Sequence, residues 1–264
     1  MAVLKTLALD VRDLYRYRAL IWTLVVKELK LRYRGSVLGF FWSFLNPLLL
    51  MAVYALVFSV YMRIQMEHYP VFMFCGLLPW IWFSASLLEG VNSIVGRGDL
   101  ITKAFFPPQI LPMVTLFSNL INFLLSLPIL FIFLWASHVI PGWPLIVLPA
   151  ILFAQFLFTL GLVLALSAMN VHFRDLTHIL GNVLTLWFFV CPIIYPLKQI
   201  PERFRFLVDF NPMALLTLMY QDVFFYDRFP NLKVLGGLIA LGIVVIVVGN
   251  AIFNTYRESF AEDI

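Results

Sequence analysis

The residues of this chain that could do chemistry are one acid set inside an apolar run and a group of rings that carry polar handles. Glu89 stands near the end of the run Val71 to Val91. Burying its carboxylate costs about 3 kcal/mol by insertion scales, so it needs a partner such as Ser93 or a water-filled vestibule. An ion-coupled carrier lines its path with several such groups, and a single acid gives that chemistry thin support. The rings are Trp42, Tyr54, Tyr61, Trp80, Trp82, Trp187 and Tyr195. Sugar rings present C–H faces that pack on aromatic planes through weak, repeated contacts, and such a set suits a sliding glycan. Belts at a lipid interface use the same residue types. Other chemistry is missing. His68, His138, His172 and His178 are scattered, with no clustered ligands for a metal. No Gly is followed by Lys, so the phosphate cradle of an ATPase is absent. Cys75 and Cys191 sit inside apolar runs, where thiols behave as small hydrophobes.

The elements that must position these groups are membrane helices. Of the 264 residues, 62% are hydrophobic and 12% charged, and the mean hydropathy is +0.96. A soluble domain carries about 25% charge. That excludes a soluble enzyme, a nucleic-acid-binding domain, a disulfide scaffold and a disordered chain. About 20 apolar residues cross a bilayer, and runs of that order cover residues 37–62, 71–91, 110–137, 145–168, 179–197 and 234–253. The expected fold is all-α, with six spans filling 36–264 behind a cytoplasmic helix within 1–35. Six spans put both termini on one side. With the N-terminus inside, 12 of the 18 Lys and Arg residues fall on inner segments, which makes both ends cytoplasmic. No cleaved signal is read at the N-terminus, because residues 5–34 are basic throughout and their longest apolar run is too short to span.

Four segments lie outside the spans. Residues 10–34 read as an amphipathic helix: Ile21, Val25 and Leu29 recur every four residues, extended by Trp22, Val26 and Tyr33, with Lys27, Lys30 and Arg34 on another face. It is either a topology anchor at the headgroups or a docking element for a cytoplasmic partner. Residues 91–108 hold Gly96 and Gly98 at a turn, Asp99 as an N-cap, and a short helix closed by Pro107 and Pro108. Leu100, Ile101, Phe105 and Phe106 are too apolar for a cytoplasmic loop and fit a protein groove or the lipid interface. Arg174 and Asp175, adjacent in sequence, do not face each other on a helix; they cap helix ends, pair across subunits or face solvent. The long outer segment 198–233 is rich in Phe, Leu and Met and broken by Pro201, Pro212 and Pro230. Two short helices dipping back toward the membrane fit it best.

The stretch Lys27 to Gly39 leading to Trp42 and Asn46-Pro47-Leu48 resembles the permease subunits of ABC transporters that export O-antigen, capsule or teichoic acid. So do Gly76-Leu77-Leu78-Pro79-Trp80, Leu100 to Lys103 with Phe106-Pro107, Phe173 to Leu176, Pro192 to Pro196 and Asn211-Pro212-Met213. The match runs in order over nearly the whole chain. The resemblance implies a homodimer in the bacterial cytoplasmic membrane, set on two copies of a nucleotide-binding ATPase that holds the ATP and Mg, with no cofactor on this chain. It implies a lipid-linked glycan as cargo in contact with membrane lipid, and no nucleic acid. Lys27 and Arg32 would lie on the interface helix. Asp99, Leu100, Ile101, Lys103, Phe105 and Phe106 would form the coupling helix seated in the ATPase. Phe206, Phe210, Asn211, Pro212 and Met213 would belong to the gate helices at the outer mouth. Trp42, Tyr54, Trp80, Trp82, Trp187 and Tyr195 would line the glycan path, with Glu89, Arg174 and Asp175 as structural polar groups. The rivals are an exporter of the same architecture for drugs or lipids, a membrane enzyme of lipid or glycosyl transfer, and an ion-coupled carrier.

Overall fold

Without water to satisfy its amides, a backbone in lipid must bond to itself, and helices do so within one segment. A computed structural model describes residues 15–64, 66–98, 106–257 and 260, and among the described residues every regular element is helical. Helix α1 is Arg18–Tyr33, α2 is Trp42–Ala55 continued by a wider π turn Leu56–Tyr61, and α3 is Tyr69–Val91. Then come α4 (Ile110–Ala136), α5 (Leu148–His172), α6 (Leu176–Val190), α7 (Phe206–Asp209), α8 (Pro212–Phe224) and α9 (Leu232–Tyr256).

Among the described residues, five helices are long and apolar enough to cross a membrane: Trp42–Tyr61, Tyr69–Val91, Ile110–Ala136, Trp143–His172 and Leu232–Tyr256. The run read as a span over 179–197 yields the 15-residue α6, about 22 Å long at the helical rise. The apolar composition carries on past the helix, but Pro192 and Pro196 offer no N–H, and Cys191 is already extended. The first span starts later than expected, since Gly35 and Gly39 adopt positive φ and fold residues 34–41 into turns.

Helix α3 is the hub. It packs against α2, α4, α5, α6 and α8, and Phe72 through Cys75, Leu77 and Phe83 are buried. Its interior Pro79 is braced from α5, where Gln155 Nε2 donates to the Pro79 carbonyl at 2.9 Å. The pair α5–α9 meets backbone to backbone. A Cβ on Gly161 would lie 2.5 Å from the Val245 carbonyl carbon, one on Gly242 2.8 Å from Leu157 Cβ, and one on Gly249 would overlap the Gly161 carbonyl. Small residues let membrane helices approach this closely, and dispersion contacts then hold them.

Candidate functional site

The apolar stripe of α1 lies on protein. Ile21 and Val25 are buried against Ile110 and Val114 at the start of α4, with Tyr17, Leu20, Leu24 and Leu29 packed around them. Trp22 falls outside this contact and is 62% exposed, and Lys27, Lys30 and Arg34 are exposed as well. The other flank of α1 carries charges that reach the membrane helices. Arg32 pairs with Glu89 of α3, and its Nη1 donates to Asn119 Oδ1 of α4 at 3.1 Å. Asn119 Nδ2 in turn donates to Glu89 Oε2 at 2.8 Å. One turn earlier on α1, Glu28 accepts from Arg97 at 2.7 Å.

Glu89 therefore has partners, though not the one expected. Ser93 Oγ is buried without a hydrogen bond, while the carboxylate is held by Arg32 and Asn119, which stand 57 and 30 positions away. Nothing in local spacing announces those contacts. A second polar knot escaped the sequence as well. Thr177 of α6 donates to Asn92 Oδ1 at 3.1 Å and to Asn170 Oδ1 at 3.2 Å, and Asn170 donates to Asn92 at 3.3 Å. It ties the end of α3, the end of α5 and the start of α6 to one another beside Arg174 and Asp175. Those two are exposed and make no ion pair among the described residues. Asp175 occupies the N-cap position of α6 without a side-chain cap bond.

Of the residues assigned to ATPase docking, Asp99, Leu100, Ile101, Lys103 and Phe105 lie outside the described residues. The structure does place both flanks of that segment. Arg97 is fastened to Glu28, and half-buried Phe106 packs against the cluster of Ile94, Leu111, Leu164 and Phe253 as well as against that of Ile21 and Val25. Phe106 thus bridges α1 to the α4, α5 and α9 ends.

The aromatic residues separate into four places. Trp42 and Trp82 line one cavity between the end of α1 and helices α2, α3 and α4; Trp42 Nε1 donates to Ser36 Oγ at 3.0 Å. Tyr54 stacks on Phe188 with ring centroids 5.4 Å apart, and buried Trp80 meets the same Phe188 at 5.7 Å. Trp187 sets its edge against Phe83 and donates from Nε1 to Asn211 Oδ1 at 2.9 Å. Tyr195 donates its hydroxyl to the Phe189 carbonyl at 2.6 Å and borders a cavity of about 490 Å³ among the ends of α2 and α6 and helix α7.

Asn211 is the centre of the residues expected at the gate. Its Oδ1 also accepts from Met213 N at 3.1 Å and Ala214 N at 3.2 Å, capping α8, and Pro212 occupies the first helical position, where its missing N–H is no loss. Met213 is fully buried, whereas Phe206 and Phe210 are exposed, Phe210 to 86%. Helix α8 is buried along most of its length against α3 and α5. Gln221 Nε2 donates to the Pro192 carbonyl at 2.8 Å and Tyr69 to the Ile194 carbonyl at 2.7 Å, so the irregular stretch after α6 finds protein donors. This satisfies the requirement that non-helical backbone at membrane depth be paired within the protein. No group of three or more metal-ligating side chains occurs among the described residues.

Comparison with known proteins follows the same lines. Residues 19–225 match the ABC-2 type transporter family. The chain is 47% identical over 256 residues, 96% of its own length and 98% of the relative's, to the O-antigen export system permease protein RfbA of Myxococcus xanthus. It is 34% identical to the protein of that name from Klebsiella pneumoniae over 240 residues, covering 89% and 91% of the two chains. To the capsule polysaccharide export inner-membrane protein CtrC of Neisseria meningitidis it is 21% identical over 258 residues, 91% and 92% of the two.

Proposed function

From the premise that this chain belongs to the ABC-2 type transporter family, as the permease subunit of a polysaccharide exporter, we propose how it works. Two copies span the cytoplasmic membrane above two copies of a separate ATPase subunit, which binds ATP and Mg. The cargo is a lipid-linked glycan of the O-antigen type. Both termini face the cytoplasm. Residues 1–35 form the interface segment and 36–264 the membrane region, in which α6 with residues 191–196 serves as a short fifth pass and α7–α8 form the outer gate.

The observation that carries this reading is the fastening on either side of residues 99–105. A segment pushed from below by a closing ATPase is tied by Arg97 to α1 and by Phe106 to the ends of α4, α5 and α9. Packed helices move as rigid elements between discrete arrangements, so a push on this segment displaces α1 and the start of the membrane helices together. The weakest part of the bundle then yields. Leu49, Val53, Leu56 and Val60 on α2, and Ile179, Val183, Leu186 and Phe189 on α6, form stripes at helical spacing that stay exposed among the described residues. These stripes serve as the seam between two copies, which parts to pass the glycan while the lipid end travels through or beside it. Rings near the seam, Tyr54, Trp187 and Tyr195, meet the sugars.

The test is a charge swap in the assembled transporter. Glu28→Arg or Arg97→Glu alone abolishes export of surface polysaccharide while ATP hydrolysis continues uncoupled, and the double swap restores export. Full export in both single variants would refute the transmission route.

A further inference from the structure

Among the cavities that border α1, two contrast in chemistry. The larger, about 730 Å³, is a lateral groove between α1 and helices α4, α5 and α9, walled by residues such as Trp22, Phe117, Leu160 and Ile246. That composition suits acyl chains. The smaller, about 400 Å³, lies between the end of α1 and helices α2, α3 and α4, at the compact end of the ~300–1,000 Å³ typical of small-molecule sites. It runs from Glu89 to Leu78 along α3, about 16 Å at the helical rise.

We propose that this smaller cavity is a binding site for an uncharged sugar unit, the first the glycan meets on its way into the membrane region. The inference rests on the polysaccharide reading above and narrows it to a place and a ligand class. Three features point to a neutral polyol. First, Asn46 and Ser126 line the cavity together with Trp42 and Trp82, so an amide and a hydroxyl that take sugar hydroxyls stand beside flat rings that take C–H faces. Second, Arg32 and Glu89, the charged groups among its lining residues, neutralise one another. A phosphate would have to displace Glu89 to claim the guanidinium, whereas a hydroxyl accepts from or donates to the pair as it stands. Third, Trp82 is 2% exposed and its Nε1 has no hydrogen-bond partner, although its ring stacks on Phe123 at 5.4 Å. Buried N–H groups are normally paired, and a small shift of the indole toward the cavity it borders gives the donor a ligand oxygen as its acceptor. An acyl chain would satisfy neither this donor nor the amide.

The experiment uses the full transporter, this chain with its ATPase, in phospholipid nanodiscs. The probe is the cell's own surface polysaccharide, freed of lipid by mild acid and cut to single repeat units, and binding is read by saturation-transfer NMR. Trp82→Phe keeps the ring and removes the N–H; Asn46→Leu keeps the volume and removes the amide. Each is expected to weaken binding about tenfold, the effect of one lost hydrogen bond of ordinary strength. Wild-type affinity in both variants, or no saturation transfer to the wild-type protein, overturns the site. The underlying reading is tested separately: continued display of surface polysaccharide by cells lacking this chain would defeat it, whereas lost display with unaltered binding in both variants defeats only the cavity.

Discussion

Helices α5 and α9 meet through glycines, so that at Gly161 and Gly249 one backbone lies directly on the other. Helices α2 and α6 touch through rings, Tyr54 on Phe188, and carry their remaining apolar residues on the outside. The contrast separates a part that cannot slide from a part that can. Backbone-to-backbone packing leaves no intermediate position, because any shift brings main-chain atoms into overlap. A ring stacked on a ring with lipid or a second copy on its far side has neighbouring positions of similar energy. In the proposed mechanism the α5–α9 pair is the fixed frame, and α2 and α6 are the elements that move.

The sharpest way to break this contrast is to put a side chain into the frame. Gly161→Val drives methyl groups into the Val245 backbone, which has no flexible end to give way. A loss above about 3 kcal/mol is expected, seen as failure to recover monodisperse protein or a collapse of the thermal transition. Gly236→Ala on α9, with nothing within 4 Å, should stay within about 0.5 kcal/mol. Equal behaviour of the two would erase the distinction.

Next in size is Asn211, which receives Met213 N, Ala214 N and Trp187 Nε1 at once. Asn211→Leu leaves these donors without it and should lower stability by about 1–3 kcal/mol. Asn211→Asp keeps the acceptor and should recover most of the loss in the same melting experiment. Smaller again is the Glu28–Arg97 pair. Both side chains are partly exposed, at 15% and 28%, so either single neutralisation should shift stability by less than about 1 kcal/mol, while export falls sharply. The smallest effect belongs to Tyr195→Phe, which removes one exposed hydroxyl donated to the Phe189 carbonyl. It should cost no more than about 0.5 kcal/mol, the bottom of the range for such bonds, and leave export measurable.

The parts of the molecule that a sequence shows are those set by composition. The apolar runs are plain, and the helices crossing residues 42–61, 69–91, 110–136, 143–172 and 232–256 follow from them. The run after Leu176 misleads because hydropathy does not register where a helix stops; Pro192 and the donors from Gln221 and Tyr69 do that. Pairings across the bundle leave no trace in spacing. Arg32 with Glu89, Thr177 with Asn92, and Gly161 with Gly249 join residues far apart in the chain, and each depends on which face its helix presents. The aromatic set shows the same limit. Seven rings of one chemical type read as one track, yet Trp80 is buried in the core, Trp82 lines a cavity with Trp42, and Trp187 is tied to Asn211. Of the elements that resemblance assigned, a helix does begin at Asn211-Pro212-Met213, and residues 99–105 lie outside the described residues, with only their flanks Arg97 and Phe106 in view.

The central claim is that the α2–α6 face is a seam between two copies that must part for the glycan to pass. Cysteine placed singly at Val53 or Leu186, both exposed on these stripes, tests it in the assembled transporter. The account predicts an oxidant-dependent crosslink between copies that halts polysaccharide export, lets ATP hydrolysis continue and is reversed by reductant. Crosslinked transporter that still exports at the uncrosslinked rate would contradict it.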